Sequence, residues 1–317
     1  MIDGFGRNIN YLRLSVTELC DLRCRYCVPE DGICKKAHEE ILTEEETIMA
    51  VKAAASLGIS KVRITGGEPL VKKNILSICE KAASVDGIEE VCMTTNGILL
   101  PKFAADLKRA GIRRLNISLD TLDEKKYAYI TRIGKLSDAL RGLDCALSEG
   151  FEKVKINAVL IGGFNDDEIP SLAELTRKYP VDVRFIELMP MYKGNGFDAR
   201  AYIPCSKVTD MLEGLTPVPH DNGVARLYQL PRAIGNIGLI SPLSDHFCAA
   251  CNRIRLTADG HIKPCLHSRD EFCVKGLSYE DMVGQFRLAI MSKPEMHCEL
   301  SSQSGSRAGR SMNKIGG

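Results

Sequence analysis

The sequence predicts an α/β protein whose strands are parallel and joined by helices. Six short runs rich in β-branched residues occur in the first two-thirds of the chain, and stretches with helical periodicity separate them. This alternation builds either a doubly wound sheet or a barrel. Residues suited to chemistry follow the strands directly, at the carboxyl ends that line the site in both architectures.

The elements of this first part can be placed one by one. Thr43–Leu57 is typical of a helix, because Thr43 can cap it, Glu46 completes a capping box and Gly58 ends it. The predicted strands are Tyr11–Thr17, Lys61–Thr65, Glu90–Thr95, Arg114–Leu119, Lys153–Leu160 and Asp182–Leu188. The other predicted helices are Asn74–Val85, Pro101–Ala110, Leu136–Glu149 and Asp167–Lys178.

The alternation weakens after about residue 190, where we predict a smaller α+β region. Its expected strands are Arg226–Leu230, Asn236–Ser241, Arg253–Thr257 and His261–Cys265, and its expected helices are Cys205–Glu213 and Ser278–Met291. The domain assignment is a first unit over residues 1–195, a C-terminal region over 196–300 and a tail over 301–317. The tail is rich in Ser, Gly and Arg, which predicts flexibility.

Composition narrows the class of protein. The 317 residues carry a formal net charge of +1, so an extended nucleic-acid surface is not expected. The sequence has no apolar run of about 18 residues that would predict a membrane span, and the first ten residues lack a signal-peptide pattern. Thirteen cysteines without an export signal indicate the reducing cytoplasm and metal or catalytic roles.

The first cysteine group, which follows the first predicted strand, consists of Cys20, Cys24 and Cys27. Their spacing, C-x3-C-x2-C, lets one loop direct three thiolates at one metal centre. A structural zinc ion needs four ligands, and His38 could supply the fourth. A [4Fe–4S] cluster held by three cysteines instead keeps one iron open for a small molecule.

The second cysteine group, with the spacing C-x2-C-x13-C, consists of Cys248, Cys251 and Cys265. Zinc is an alternative here too, and its fourth ligand would be His246, His261 or His267. Arg253 and Arg255 alternate on a predicted strand, so both side chains point to one side. They form either an exposed polar face or, beside a metal centre, a pocket for phosphate.

The first cysteine group resembles the signature of radical S-adenosylmethionine (SAM) enzymes, in which Tyr26 is the aromatic residue. The segment Gly66–Pro69, GGEP, would alone be a turn, but after the second strand it resembles the family's contact with the methionyl amino group. The resemblance extends over essentially the whole chain to the branch that cyclises GTP in molybdenum cofactor biosynthesis. It includes LRLSVTELCDLRCRYCVPEDG, TTNG, NISLD, CAACNRIRLTADG and the final Gly-Gly.

This resemblance implies a partial (βα)6 TIM-like barrel of the radical SAM type and a smaller C-terminal α+β region with a second cluster. One [4Fe–4S] cluster would be bound by each cysteine group. The residues implied to contact SAM are Tyr26, Gly67, Glu68, Ser118 and Met189. Those implied to contact GTP are Arg13, Arg63, Thr94, Lys155, Arg253, Ile254 and Arg255. For Met189 core packing is the alternative, and for Lys155 a solvated surface position.

The implied reaction abstracts hydrogen from the ribose 3' carbon and joins that carbon to purine C8. Residues implied to act directly in it are Arg13, Arg253, Arg255, Gly316 and Gly317, the glycine pair by reaching back into the active site. Implied partners are an electron donor of the flavodoxin or ferredoxin type and, in the pathway, cyclic pyranopterin monophosphate synthase. No nucleic-acid or membrane partner is expected, and a homodimer is left open. The alternatives are a peptide-modifying radical SAM enzyme with an auxiliary cluster and a non-enzymatic zinc module.

Overall fold

The computed structural model describes residues 1–33, 36–191, 196–219, 224–298, 300 and 305–316, and its strands form one sheet. The strands are β1 (Tyr11–Ser15), β2 (Lys61–Thr65), β3 (Glu90–Thr95), β4 (Ile112–Ser118), β5 (Lys153–Leu160), β6 (Val181–Glu187), β7 (Thr216–Val218), β8 (Arg226–Gln229), β9 (Ile237–Ile240), β10 (Arg253–Leu256), β11 (His261–Lys263) and β12 (Phe272–Cys273). The α-helices are α1 (Glu44–Ser56), α2 (Ile75–Ala83), α3 (Leu100–Arg109), α4 (Glu124–Thr131), α5 (Leu136–Ser148), α6 (Ile169–Lys178), α7 (Ser206–Met211), α8 (Tyr279–Met291) and α9 (Met312–Ile315).

The strand order across the sheet is β12-β11-β10-β1-β2-β3-β4-β5-β6-β9-β8-β7. Strands β1 to β6 are parallel neighbours, which confirms the predicted β-α units. β10 pairs parallel with β1, and β9 pairs parallel with β6. The C-terminal region therefore extends the sheet at both edges, and the pairing of the described strands leaves the sheet open.

β1 shows how the sheet separates a core face from a site face. Leu12 and Leu14 are completely buried in the main apolar core, which they share with helix residues such as Ala50 and Leu107. Tyr11 and Arg13 alternate with these leucines, so their side chains point to the opposite face of the sheet. That opposite face carries the polar residues of the candidate site.

Several predicted elements are confirmed closely. The α1 capping box is present, because Thr43 Oγ1 accepts from the Glu46 N–H (3.2 Å) and the Glu46 carboxylate accepts from the Thr43 N–H (2.9 Å). Four short elements were missed: α4, α9, β7 and β12. α4 begins with three charged residues, which conceal the buried Tyr127 and Ile130 that hold it against the protein. None of the helices in the described ranges is long and apolar enough to cross a membrane.

The C-terminal segment differs from the flexible tail that the sequence predicts over 301–317. In its described part, residues 305–316, Asn313 and Ile315 are buried. Arg310 forms ion pairs with Asp259 (2.8 Å) and Glu271 (2.5 Å). The prediction of flexibility rested on the average composition of the segment. Composition does not show that a few side chains anchor an otherwise polar segment. Residues 301–304 and Gly317 lie outside the described part of the chain.

Candidate active site

A cavity of about 210 Å³ lies against the site face of the sheet. Its wall includes all three residues of the second cysteine group. Its wall also includes Arg13, Arg63, Arg184, Arg253 and Arg255. The structure thus brings the predicted metal ligands and four of the predicted arginines together, with Arg184 as a fifth.

Three of these arginines stand side by side on neighbouring parallel strands, and we call Arg255, Arg13 and Arg63 the arginine row. Strand register pairs Arg255 with Arg13 and Arg13 with Arg63, and neighbouring strands lie about 4.8 Å apart. Burial and the nearby guanidiniums hold the pKa of Arg13 well below its usual value and lower the pKa of Arg255 to about 10. A bound polyanion would relieve this repulsion.

Further polar atoms of the cavity wall are buried and have no hydrogen-bond partner in the described structure. They are Asn116 Oδ1, Asn157 Oδ1, Arg184 Nε and Arg253 Nε. Buried polar atoms in proteins are almost always paired, so these atoms fit a ligand with both donors and anionic acceptors. Among the described residues that line the cavity there is no Asp or Glu to compete for the guanidiniums.

The loop of the second cysteine group is held in place by Arg7. The Arg7 guanidinium donates to the carbonyl oxygens of Cys248 (3.0 Å) and Pro294 (2.8 Å), and its Nε donates to Asp3 (2.6 Å). These bonds connect the N-terminal turn to the cysteine loop. A metal centre bound there would therefore face the cavity from a fixed position.

Lys293 places a buried positive charge beside the second cysteine group. Its ammonium donates to the carbonyl oxygens of Arg253 (2.8 Å) and Pro264 (2.9 Å). Burial alone would raise the pKa of Cys251. The charge of Lys293, together with the charge and backbone hydrogen bond of Arg253, outweighs burial and lowers this pKa. The thiolate is the form that binds metals, so this environment fits a metal ligand.

The first cysteine group lies beyond the carboxyl end of β1 in a tight turn, where the Cys27 N–H donates to the Cys24 carbonyl oxygen (3.0 Å). The Leu22 N–H also donates to the sulfur of Cys20 (3.3 Å). Burial raises the pKa of Cys20 and Cys27 to about 12. Such thiols ionise when a metal binds them, and hydrogen bonds to sulfur are a feature of iron–sulfur sites.

The GGEP segment packs on the first cysteine loop. A Cβ atom on Gly67 would lie 2.3 Å from the Leu19 carbonyl oxygen, so the glycine permits a close approach of two backbones. Glu68 is buried, and its carboxylate accepts from the Thr95 hydroxyl (2.7 Å) and the Asn96 N–H (2.7 Å). Burial raises the pKa of Glu68 to about 7. Glu68 thus connects this segment to the end of β3.

Tyr26 is oriented by Asp120, which was not among the residues expected to contact SAM or GTP. The Tyr26 hydroxyl donates to the Asp120 carboxylate (2.7 Å), which also accepts from the Val159 N–H (2.8 Å). Burial raises the pKa of Asp120 to about 6. This bond fixes the aromatic ring of the signature against the ends of β4 and β5.

The C-terminal segment reaches the loop before the first cysteine group and the arginine row. The Asn313 side-chain amide donates to the Glu18 carbonyl oxygen (3.2 Å), and the Gly316 carbonyl oxygen accepts from the Arg255 guanidinium. Gly316 has φ +84°, and a Cβ atom on it would lie 2.5 Å from Thr65 Oγ1. Only glycine fits this position. Gly317, which the resemblance also implies to act in the reaction, lies outside the described residues.

The remaining residues that were predicted to contact SAM or GTP differ in their position relative to the cavity. Met189 lines the cavity. Thr94 and Lys155 are the register partners of Asn116, and Ser118 is the register partner of Asn157, so these three residues adjoin the cavity wall. The Lys155 side chain is only 15% exposed, which is inconsistent with a solvated position. The Ile254 side chain is the exception, because it lies in the apolar core on the opposite face of the sheet.

Sequence reasoning missed several cavity residues, and alternation was the signal that could have found most of them. Tyr11, Asn116 and Asn157 lie two positions from Arg13, Ser118 and Lys155, so each shares a face with a predicted residue. Arg184 lies between the buried Val183 and Phe185 of β6, so alternation places it on the opposite face, which is the site face. Among the cavity residues from distant loops, Lys293 and His297 carried no such signal, and His267 was considered only as a zinc ligand.

The alternative metal for both cysteine groups was a structural zinc ion, which needs four ligands around one point. In the described part of the chain, no three His, Cys, Asp or Glu side chains converge closely enough to hold one metal ion. The thiolates of a [4Fe–4S] cluster each bind a different iron and need not converge on one point. Three cysteines in each group are the number of ligands that a [4Fe–4S] cluster with one open iron requires.

Residues 14–176 match the model of the Radical SAM superfamily, and residues 181–298 match that of Molybdenum Cofactor Synthesis C. The chain belongs to the radical SAM superfamily, whose enzymes use a [4Fe–4S] cluster and SAM. The protein of Alkaliphilus oremlandii named GTP 3',8-cyclase is 46% identical to it, and that of Alkaliphilus metalliredigens 47%, each with 100% of both chains covered. Within the superfamily, the chain belongs to the family of GTP 3',8-cyclases.

Solved structures show the same fold at low identity. The structure of Streptococcus suis SuiB has a TM-score of 0.64 and 17% identity, and covers 87% of this chain and 65% of that chain. SuiB bound to S-adenosylmethionine has a TM-score of 0.62 and 18% identity, with 88% and 65% covered. The chain thus spans slightly less than two-thirds of SuiB, and the likeness concerns the fold alone.

Proposed function

We propose that this enzyme converts GTP into (8S)-3',8-cyclo-7,8-dihydroguanosine 5'-triphosphate, the first step of molybdenum cofactor biosynthesis. The observation that carries the proposal is the cavity in which the arginine row and the second cysteine group face one volume. A purine nucleoside triphosphate has anionic oxygens for the guanidiniums and ring nitrogens that can contact a metal centre. Full-length identity to proteins named GTP 3',8-cyclase supports the same assignment.

The cofactor assignments follow the two cysteine groups. The first group would hold the [4Fe–4S] cluster common to the superfamily, and Tyr26, Gly67, Glu68, Ser118 and Met189 would surround SAM. We assign a second [4Fe–4S] cluster to Cys248, Cys251 and Cys265. When bound, these cofactors supply a carbon radical able to remove hydrogen from the ribose 3' carbon.

The chain's own residues bind and orient GTP. The arginine row and Arg253 would neutralise the triphosphate, and the Gly316 carbonyl oxygen holds Arg255 in the orientation that this requires. Triphosphate contacts lie away from the reacting carbon, so their binding energy serves to position the ribose. A cavity enclosed by the C-terminal segment also keeps water from a reactive carbon centre.

Several further assignments remain predictions. The reaction needs electrons, for which a flavodoxin- or ferredoxin-type donor is the predicted source. The product is predicted to pass to cyclic pyranopterin monophosphate synthase. We predict a cytoplasmic location, and a homodimer is left open.

An anaerobic turnover assay tests the proposal. The reconstituted enzyme is supplied with dithionite, SAM and GTP deuterated at the 3' position, and the products are followed by chromatography and mass spectrometry. The expected result is 5'-deoxyadenosine that carries the deuterium and accumulates in step with the loss of GTP. Cleavage of SAM while GTP survives would contradict the proposed substrate and favour a peptide-modifying enzyme.

A further inference from the structure

Tyr11 is a tyrosine surrounded by the cationic side chains of the cavity wall. It is the first residue of β1, it is 7% exposed, and it lines the cavity on the same face as Arg13. None of the roles assigned above involves it. Its surroundings consist of cations on three strands, since register places Lys61 and Arg253 on either side of it.

The Tyr11 hydroxyl orients one guanidinium of the arginine row. The Arg63 Nε donates to the Tyr11 hydroxyl, and the Arg63 Nη1 donates to the Met93 carbonyl oxygen (3.1 Å). Because these two bonds fix the plane of the guanidinium, the remaining N–H groups have a defined direction. Loss of the hydroxyl would remove one of the two restraints.

The Tyr11 ring attracts cations on its faces. The Arg253 Cζ lies 5.2 Å from the ring centroid, the Lys61 Nζ 5.4 Å and the Arg63 Cζ 6.0 Å. The negative potential of an aromatic face favours cations at such distances. Burial alone would raise the pKa of Tyr11, but the guanidiniums of Arg63 and Arg253 lower it overall. The ring therefore lies within the field of these cations.

We propose that Tyr11 is the positioning residue of the triphosphate site, holding Arg63 through its hydroxyl and Arg253 through its ring so that both guanidiniums converge before the anion binds. Cations that repel one another would otherwise separate in the empty cavity, and binding would have to reassemble them. Tyr11 removes part of that cost by preorganisation. The inference deepens the proposed function and rests on it for the identity of the anion.

Two substitutions separate the roles of the hydroxyl and the ring. Tyr11→Phe keeps the ring and removes the hydroxyl, and Tyr11→Leu removes both. Titrations of the anaerobically reconstituted enzyme would measure Kd for GTP, guanosine and inorganic tripolyphosphate. We expect Tyr11→Phe to weaken GTP and tripolyphosphate about 10-fold and Tyr11→Leu about 50-fold, while guanosine changes less than about twofold.

Tyr127→Phe is the matched control, because Tyr127 is also buried, its hydroxyl has no partner in the described structure, and it is absent from the cavity wall. We expect wild-type affinities for all three ligands. Iron content and circular dichroism would establish that each variant is folded. Equal weakening of guanosine and GTP in Tyr11→Phe would indicate a merely structural role and overturn the inference.

A double-mutant cycle tests whether the hydroxyl acts through Arg63. In an Arg63→Gln background, Tyr11→Phe should cost less than about twofold in tripolyphosphate affinity, because the bond is already lost. A cost equal to that in the wild type would contradict the inference. Tripolyphosphate also separates the two proposals. A loss of tripolyphosphate affinity in Tyr11→Phe would support the role of Tyr11 even if GTP is not turned over. A wild-type enzyme that binds no tripolyphosphate would contradict the role of Tyr11.

Discussion

The two cysteine groups lie in opposite electrostatic surroundings. The carboxyls of Glu68, Asp21 and Asp120 act on the first group and add to the effect of burial in raising the thiol pKa values. The cations Lys293 and Arg253 act on the second group. The charges come partly from neighbours in sequence, Asp21 and Arg253, and partly from distant strands and loops that supply Glu68, Asp120 and Lys293.

This difference corresponds to the charges of the two small molecules that the proposed reaction brings together. SAM carries a sulfonium and an ammonium, and its net positive charge favours the carboxyl side. GTP is a polyanion and favours the side with the arginine row. Charge can therefore direct each molecule to its own cysteine group within one active site.

The largest expected effect comes from removing one ligand of each group. Cys24→Ala should abolish SAM cleavage, because the first cluster is lost. Cys251→Ala should retain some SAM cleavage with dithionite and form no cyclised product. Each variant should retain about half of the wild-type iron. If Cys24→Ala still cleaved SAM, the assignment of the two groups would have to be exchanged.

Two glycines of the C-terminal segment test the contact with Arg255. Gly316→Ala would place a Cβ atom 2.5 Å from Thr65 Oγ1, whereas Gly309, also with positive φ (+66°), has nothing within 4 Å. We expect Gly316→Ala to lower turnover about 100-fold through displacement of Arg255, with unchanged iron content. Gly309→Ala carries only the backbone strain and should retain most activity. Equal losses in the two variants would attribute the effect to strain.

Substitution of Lys293 would reduce the difference in charge between the surroundings of the two cysteine groups. Lys293→Met should lower the reduction potential of a cluster on the second group on the order of 100 mV, because a nearby positive charge stabilises the reduced form. Lys263→Met is the control, since Lys263 is also buried but is paired with Glu271 (2.9 Å). Redox titration followed by electron paramagnetic resonance measures both. An unshifted potential in Lys293→Met would show that its charge does not act on the cluster.

The sequence predicted the parallel strands and both cysteine groups because each depends on local patterns. Strand periodicity and cysteine spacing are visible within about twenty residues. Tyr11 was overlooked although it is two positions from Arg13, because its role depends on Arg63 and Arg253 from other strands. The order in the C-terminal segment was missed because Arg310 gains its partners only in the folded chain. Contacts between distant segments thus account for most of what was missed.

The smallest expected effect is a pH dependence of GTP binding. Burial, followed by repulsion from Arg184, lowers the pKa of Lys155 to about 7. A bound triphosphate favours the charged amine and raises this pKa, so binding above pH 7 takes up a proton. Affinity should therefore fall as pH rises above 7, by at most about 10-fold per pH unit.

Calorimetry in two buffers of different ionisation enthalpy measures this proton uptake directly. Lys155→Gln should abolish the part that exceeds the titration of GTP itself and should flatten the pH profile. Lys126→Gln is the control, because the Lys126 ammonium pairs with Asp167 (2.7 Å) and Lys126 belongs to α4, whereas Lys155 is the register partner of Asn116 in the cavity wall. Proton uptake that survives in Lys155→Gln would assign the titration to another group. If proton uptake is lost in Lys155→Gln and kept in Lys126→Gln, the bound anion acts on Lys155, as expected if the cationic cavity binds GTP.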